Sequence, residues 1–191
     1  MAIIERNTKE TKIRCTVDLD GKGEYSICTG VGFLDHMLEA LSKHSGIDIT
    51  IQCDGDTYID DHHSVEDCAI VLAKAFKEDI FPIQNVERYG NATVVMDEAS
   101  VSCDLDLSNR PFLVYKMKKL KNKVGSFDVE LVEEFFHALV HNSGITCHLI
   151  YNRGKNKHHI IEATFKAFAV ALRRALQTNN KIGIPSTKGV L

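Results

Sequence analysis

Two stretches of this chain carry side chains whose types and spacing suit metal chemistry: His62-His63-Ser64-Val65-Glu66 and His158-His159-Ile160-Ile161-Glu162. Each is an HHxxE word, and the second repeats the first after 96 residues. Residues three and four apart share one face of a helix, so the glutamate of each word lies beside both of its histidines. Adjacent histidines diverge by about 100° around a helix axis, so one word can offer ligands to two different ions. Helical apolar period follows each word, in Val65, Cys68, Ala69, Leu72, Ala73 and Phe76 and then in Ile161, Phe165, Phe168, Ala169 and Leu172. A lone histidine is more often a helix cap or a polar core residue. Two words in register are hard to explain by packing.

Two more histidines sit where such a site could use them. His36 falls one turn into a helical stripe, and His148 lies on an alternating stretch, on the face opposite Ile145, Cys147 and Leu149. With the words they make an all-nitrogen-and-oxygen set, enough for two ions of four ligands each. Such a set without thiolate suits Mn²⁺, Fe²⁺ or Zn²⁺. Open coordination positions are what a catalytic rather than a structural site requires. His44, His137 and His141 lack the paired context and read as surface or core residues.

The rest of the chain must position these groups. At 191 residues and 44% hydrophobic it can bury a proper core. A net charge of −3 and the absence of Trp give no argument for nucleic acid or membrane binding. Six scattered cysteines without a CxxC read as reduced core residues. With no long apolar run and no signal-peptide pattern at the start, a cytoplasmic protein is expected.

Alternation predicts a strand over 12–19, a hairpin turn at Asp20-Gly21-Lys22-Gly23, and a returning strand over 24–28. Phe33, Leu34, Met37, Leu38 and Leu41 predict a helix over 33–43, stopped by Ser45-Gly46, and 47–53 alternates as a strand. Asp60 or Asp61 is expected to cap the helix of the first word. The second part repeats the order, with strands over 93–107 and 111–118, a helix over 129–141 ended by Ser143-Gly144, a strand over 145–151, and the second word opening a helix. The basic stretch 116–123 reads as a solvated strand end or hairpin tip. Each half, 1–91 and 92–191, thus reads β-β-α-β-α, an internal duplication giving α/β layers in one compact unit.

Assembled, these residues resemble the imidazoleglycerol-phosphate dehydratase family. The resemblance rests on Arg6-Asn-Thr-Lys-Glu10-Thr, Gly30-Val-Gly-Phe-Leu-Asp-His-Met-Leu38, Gly55-Asp-Thr-Tyr-Ile-Asp-Asp-His-His-Ser-Val-Glu-Asp67 and Met96-Asp-Glu98. It continues through Asp106-Leu-Ser-Asn-Arg-Pro111, Val124-Gly-Ser-Phe-Asp128, His158-His-Ile-Ile-Glu-Ala-Thr-Phe-Lys-Ala167 and Pro185-Ser-Thr-Lys-Gly-Val190. Two small departures are Ala40, where many members carry a polar residue, and Asn109, in place of a common Gly before Arg110.

The resemblance implies an α/β (α+β) fold of duplicated halves with helices between two mixed four-stranded sheets, of the ribosomal protein S5 domain 2-like kind. It implies two Mn²⁺ per active site, other divalent metals being possible, on His36, His62, His63, Glu66, His148, His158, His159 and Glu162. Glu10, Glu66 and Glu162 would stand at the catalytic centre, and Glu10, Arg88, Arg110, Lys166, Ser186 and Lys188 at the substrate. It further implies a 24-subunit assembly with active sites at subunit interfaces. With no phosphatase segment ahead of residue 1, a monofunctional form is expected.

The implied reaction is dehydration of D-erythro-imidazole-glycerol phosphate to imidazole-acetol phosphate in L-histidine biosynthesis, through a metal-stabilised imidazolate. Glu10 is the expected base, and the cations suit a phosphate monoester. The 186–189 stretch is expected to close as a lid. A two-metal phosphate-ester hydrolase or a metal-assembled storage oligomer are the rival classes. The first lacks a bridging aspartate, and the second leaves Glu10 and the cations without a role.

Overall fold

Alternating burial along the strands and apolar stripes along the helices decide how the layers stack. A computed structural model describes residues 1–190. The first half runs β1 (Ala2–Asn7), β2 (Thr11–Asp18), β3 (Tyr25–Cys28), α1 (Gly32–Ser45), β4 (Asp48–Gly55) and α2 (His62–Ile80). The second runs β5 (Tyr89–Met96), β6 (Ala99–Asp106), β7 (Phe112–Lys116), a ribbon of β8 (Lys123–Val124) and β9 (Phe127–Asp128), α3 (Leu131–Ser143), β10 (Thr146–Arg153) and α4 (Lys157–Ala175).

The strands form two mixed four-stranded sheets of the same topology, ordered β1-β2-β4-β3 and β5-β6-β10-β7. Ile13, Cys15 and Val17 of β2 and Ile49 and Ile51 of β4 bury one face of the first sheet; Val101, Cys103, Leu105, Cys147 and Leu149 do so in the second. The helices pack on these faces, and across the middle α1 lies against α4 and α2 against α3. One hydrophobic cluster therefore joins both halves. The expected fold class, with its two four-stranded sheets and its helices, is what the chain adopts.

The repeating unit is one strand richer than β-β-α-β-α. The stretch 93–107, expected as a single strand, is part of two: β5 and β6 pair antiparallel about Asp97-Glu98, with Met96 opposite Ala99. Asp97 takes φ 46° there, a left-handed turn without a glycine to mark it. With β1 counted likewise, each half is β-β-β-α-β-α, the second with the β8–β9 ribbon added before α3.

The expected hairpin at 20–23 is also corrected. β3 pairs in parallel with β4 and never touches β2. Asp48 explains this, because its Oδ1 accepts the backbone N–H groups of Lys22 and Glu24, each at 2.7 Å. That strap carries the chain past β2 to the far side of β4.

The helices start and stop near their expected positions. Both words open under a side-chain cap: Asp60 Oδ1 accepts the His62 N–H and Asn156 Oδ1 the His158 N–H, both at 2.9 Å. Asp61 stands at the cap position without a side-chain bond. All six cysteines are free thiols, and five are buried as expected; Cys28 is exposed on the edge strand β3. The basic stretch 116–123 is a largely exposed link from β7 to the ribbon. Among the described residues no helix is long and apolar enough to cross a membrane.

Gly46 and Gly144 end α1 and α3 with the same φ of 77°. A Cβ on Gly46 would meet nothing within 4 Å, whereas on Gly144 it would sit 2.9 Å from Asn109 Oδ1. Gly46→Ala should cost about 1 kcal/mol, the left-handed backbone alone. Gly144→Ala should cost more. Urea unfolding of the two variants measures the difference, and equal losses would contradict the crowding at Gly144.

Candidate active site

The packing of α1 on α4 brings a histidine of one half to the word of the other. His36 Nε2 lies 3.5 Å from Glu162 Oε2, and His158 Nε2 lies 3.1 Å from the same oxygen. The ligand atoms of these three residues all fall within 4.8 Å of one another. Two imidazole nitrogens and one carboxylate converging in this way suit a divalent ion. Phe33 supports the arrangement, its ring 5.2 Å from that of His158 and 5.1 Å from Phe127.

Glu162 is only 6% exposed. Burial pushes its carboxyl up, but the Lys166 hydrogen bond and charge, with His36 and His158, hold it below the usual carboxylate range. Lys166 Nζ is 2.6 Å from Glu162 Oε1, which leaves Oε2 for the histidines. Lys166 thus lies one helical turn beyond the ligand cluster.

The first word is more open. His62 Nε2 is 3.8 Å from Glu66 Oε2, and both side chains are nearly half exposed. His63 turns the other way: its Nδ1 is 3.1 Å from both carboxylate oxygens of Asp56, and its Nε2 is 3.8 Å from Glu10 Oε1. The Asp56 hydrogen bond raises the His63 pKa, outweighing the opposing effect of burial and helped by the Glu10 charge. Glu10 sits in the β1–β2 turn, where its N–H donates to Thr8 Oγ1 and its carbonyl accepts from the Asp56 N–H. The turn is anchored to α2 by buried Asp67, which accepts from both Arg6 Nε and Thr11 Oγ1.

His159 mirrors His63. Its Nδ1 is 2.8 Å from Glu98 Oε2, while Glu98 Oε1 accepts the N–H groups of Lys155 and Asn156 at 2.9 and 2.7 Å. The His159 bond, then those two N–H groups, push the Glu98 pKa down to about 2. His148 stands apart. Its neighbours Cys147 and Leu149 are wholly buried, so alternation turns His148 to the outer face of the second sheet, away from the helices.

Four of the expected substrate residues line one cleft of about 870 Å³: Arg88, Arg110, Ser186 and Lys188. Arg88 is 8% exposed and has φ 68°. Its Nε and Nη2 donate to the two oxygens of Asp106 at 2.7 and 3.1 Å, and its Nη1 donates to the Pro185 carbonyl at 2.7 Å. Arg110 is exposed, with Nη2 3.9 Å from the same aspartate. The Lys188 N–H donates to Ser186 Oγ in a tight turn.

Residues 29–172 match the family model described as imidazoleglycerol-phosphate dehydratase. The chain belongs to the imidazoleglycerol-phosphate dehydratase family. The enzyme of that name from Aliarcobacter butzleri is 69% identical over 191 residues, covering all of both chains. That from Campylobacter fetus is 62% identical over 186 residues, 97% of each chain. The Staphylococcus aureus dehydratase structure, 41% identical, covers 94% of this chain and all of its own with a TM-score of 0.83. The Pyrococcus furiosus structure, 36% identical, covers 98% of this chain and all of its own at 0.84. Membership makes the chain a dehydratase, a hydro-lyase.

Within the dehydratase fold, Asn109 takes φ 51°, a left-handed backbone that glycine and asparagine adopt most readily. Sequence reasoning assigns no role to Asp56, Asp67, Glu98 or Asp106, although all four lie inside the stretches that carry the family resemblance. Asp56, Glu98 and Asp106 lie in or beside turns and each holds a histidine or an arginine of the site, whereas Asp67 lies on α2 and ties down the Glu10 turn through Arg6 and Thr11. Asp106→Ala would leave the Arg88 guanidinium nearly buried without its counter-ion. A loss of about 3 kcal/mol is expected, read from denaturant unfolding. A loss within about 0.5 kcal/mol, typical of an ordinary surface change, would show that Asp106 does not anchor Arg88.

Proposed function

We propose that this chain dehydrates D-erythro-imidazole-glycerol phosphate to imidazole-acetol phosphate in L-histidine biosynthesis, in the cytoplasm, with two Mn²⁺ ions in each active site. The observation that carries the reading is the presence in one fold of the His36–His158–Glu162 ligand cluster and a cleft lined by Arg88, Arg110, Ser186 and Lys188. An imidazole-bearing phosphate monoester needs both.

His36, His158 and Glu162 would hold one ion, and His62, His63, Glu66 and His159 offer the remaining donors. When bound, divalent ions held by these residues would act as Lewis acids that stabilise negative charge on the substrate's imidazole. The protein's own groups do the rest. Arg88 is pre-oriented by Asp106 and turns its remaining N–H groups to the phosphate, while Arg110, Lys188 and the Ser186 hydroxyl complete the grip. The Ser186–Lys188 turn closes over the phosphate as a lid. Lys166 keeps Glu162 anionic. Glu10, 52% exposed and 3.8 Å from His63 Nε2, takes the proton from carbon as general base. The electron pair left behind expels the neighbouring hydroxyl, which is protonated and leaves as water, and the enol formed ketonises.

Among the described residues only the second word gathers a third ligand within one chain. That favours an active site shared between subunits of a 24-subunit assembly, where the half-exposed first word meets residues of a neighbour. His148 enters such a site only through contact between copies. The half-repeats 1–91 and 92–191 each supply one word to it.

Glu10→Gln should lower kcat by several orders of magnitude while Mn²⁺ binding and KM stay near wild type; a variant that turns over normally excludes Glu10 as the base. Chelation should abolish activity and Mn²⁺ restore it. Full turnover in metal-free protein would overturn the reading.

A further inference from the structure

The duplication places two glutamates in matching positions with opposite surroundings. Glu10 is the residue before β2, and Glu98 is the residue before β6. β2 and β6 are the corresponding second strands of the two sheets. Each glutamate lies beside the second histidine of its own half's word, Glu10 by His63 and Glu98 by His159.

Their hydrogen bonding differs completely. The Glu98 carboxylate accepts from the Lys155 N–H, the Asn156 N–H and His159 Nδ1. Among the described residues the Glu10 carboxylate approaches only His63 Nε2, at 3.8 Å. In the first half the Nδ1 position is taken by Asp56, which follows β4 and comes from outside the β1–β2 turn. The two rings therefore donate the same hydrogen bond to carboxylates at unrelated places in the repeat. Inheritance from a common half would have put them at the same place, so the bond itself is the shared requirement. A carboxylate on one imidazole nitrogen sets the tautomer and leaves the other nitrogen as a donor for a metal.

We infer that Asp56 and Glu98 are positioning residues that aim Nε2 of His63 and His159 as metal ligands, and that Asp56 thereby releases Glu10, the counterpart of Glu98, from that duty. The inference rests on the dimetal reading above. It assigns the two matching glutamates to separate tasks, Glu98 to holding a ligand and Glu10 to the substrate.

The test is Mn²⁺ titration of the intact protein, following free Mn²⁺ by electron paramagnetic resonance, with kcat measured at saturating Mn²⁺. Asp56→Asn and Glu98→Gln should each weaken Mn²⁺ binding about 10- to 100-fold with kcat at saturation within a few-fold of wild type. Glu98→Gln keeps an oxygen that can accept the two backbone N–H groups. Glu10→Gln should show the reverse pattern, with unchanged Mn²⁺ affinity and lost kcat. Asn156→Ala removes the cap on the same end of α4 and serves as the structural comparator, expected to lower stability but not Mn²⁺ affinity. Wild-type affinity in both Asp56→Asn and Glu98→Gln would overturn the inference and leave the dehydratase reading standing. Equal weakening by Asn156→Ala would assign the effect to the helix end and likewise overturn it. A wild-type protein that binds no Mn²⁺ would instead remove the dimetal reading itself.

Discussion

The contact of α1 with α4 is the constraint on which the site depends. The two helices lie together in a single core that also buries Leu34, Met37, Leu38 and Leu41 of α1 and Phe165, Phe168 and Leu172 of α4. Because the rows of apolar side chains on the two helices must interlock, the helices have little freedom to slide. His36 and Glu162 ride on opposite sides of that interface, so their 3.5 Å approach is set by packing far larger than the ion-pair attraction itself. A half alone has the second word without its third ligand.

The same logic explains why turns carry so much of the chemistry. Glu10, Asp56 and Glu98 all sit in or beside connections between strands and helices, where a side chain can reach a helix end without disturbing a sheet. Hydrogen bonds fasten these turns: the Glu10 backbone bonds the Thr8 hydroxyl and the Asp56 N–H, and the Glu98 carboxylate accepts the Lys155 and Asn156 N–H groups. Turns fastened in this way position a carboxylate nearly as well as a regular element does. They also leave room for one copy of the repeat to diverge from the other.

Much of this is legible in the sequence, for physical reasons that differ by element. The HHxxE words and the stripes that follow them reveal α2 and α4, since a 3.6-residue period kept over about three turns marks a helix. Ser45-Gly46 and Ser143-Gly144 mark the ends of α1 and α3, because a left-handed cap favours glycine. The fold-back at Asp97-Glu98 is not legible, as neither residue advertises a turn. The path of 20–28 is not legible either, since it depends on Asp48, a side chain more than twenty residues away. Among site residues, ligands announce themselves by type, whereas Asp56, Asp106 and Glu98 are ordinary carboxylates until the fold shows what they hold. His148 shows the opposite limit: strand alternation gives its face at once but says nothing of what lies beyond that face.

Arg88 binds the C-terminal segment through the Pro185 carbonyl while facing the cleft that Ser186 and Lys188 also line. One rigid, planar group is thus shared between the chain's own tail and whatever occupies the cleft. Asp106 holds one edge of that plane and the Pro185 carbonyl another, so whatever enters the cleft meets a guanidinium already fixed to both β6 and the segment after α4.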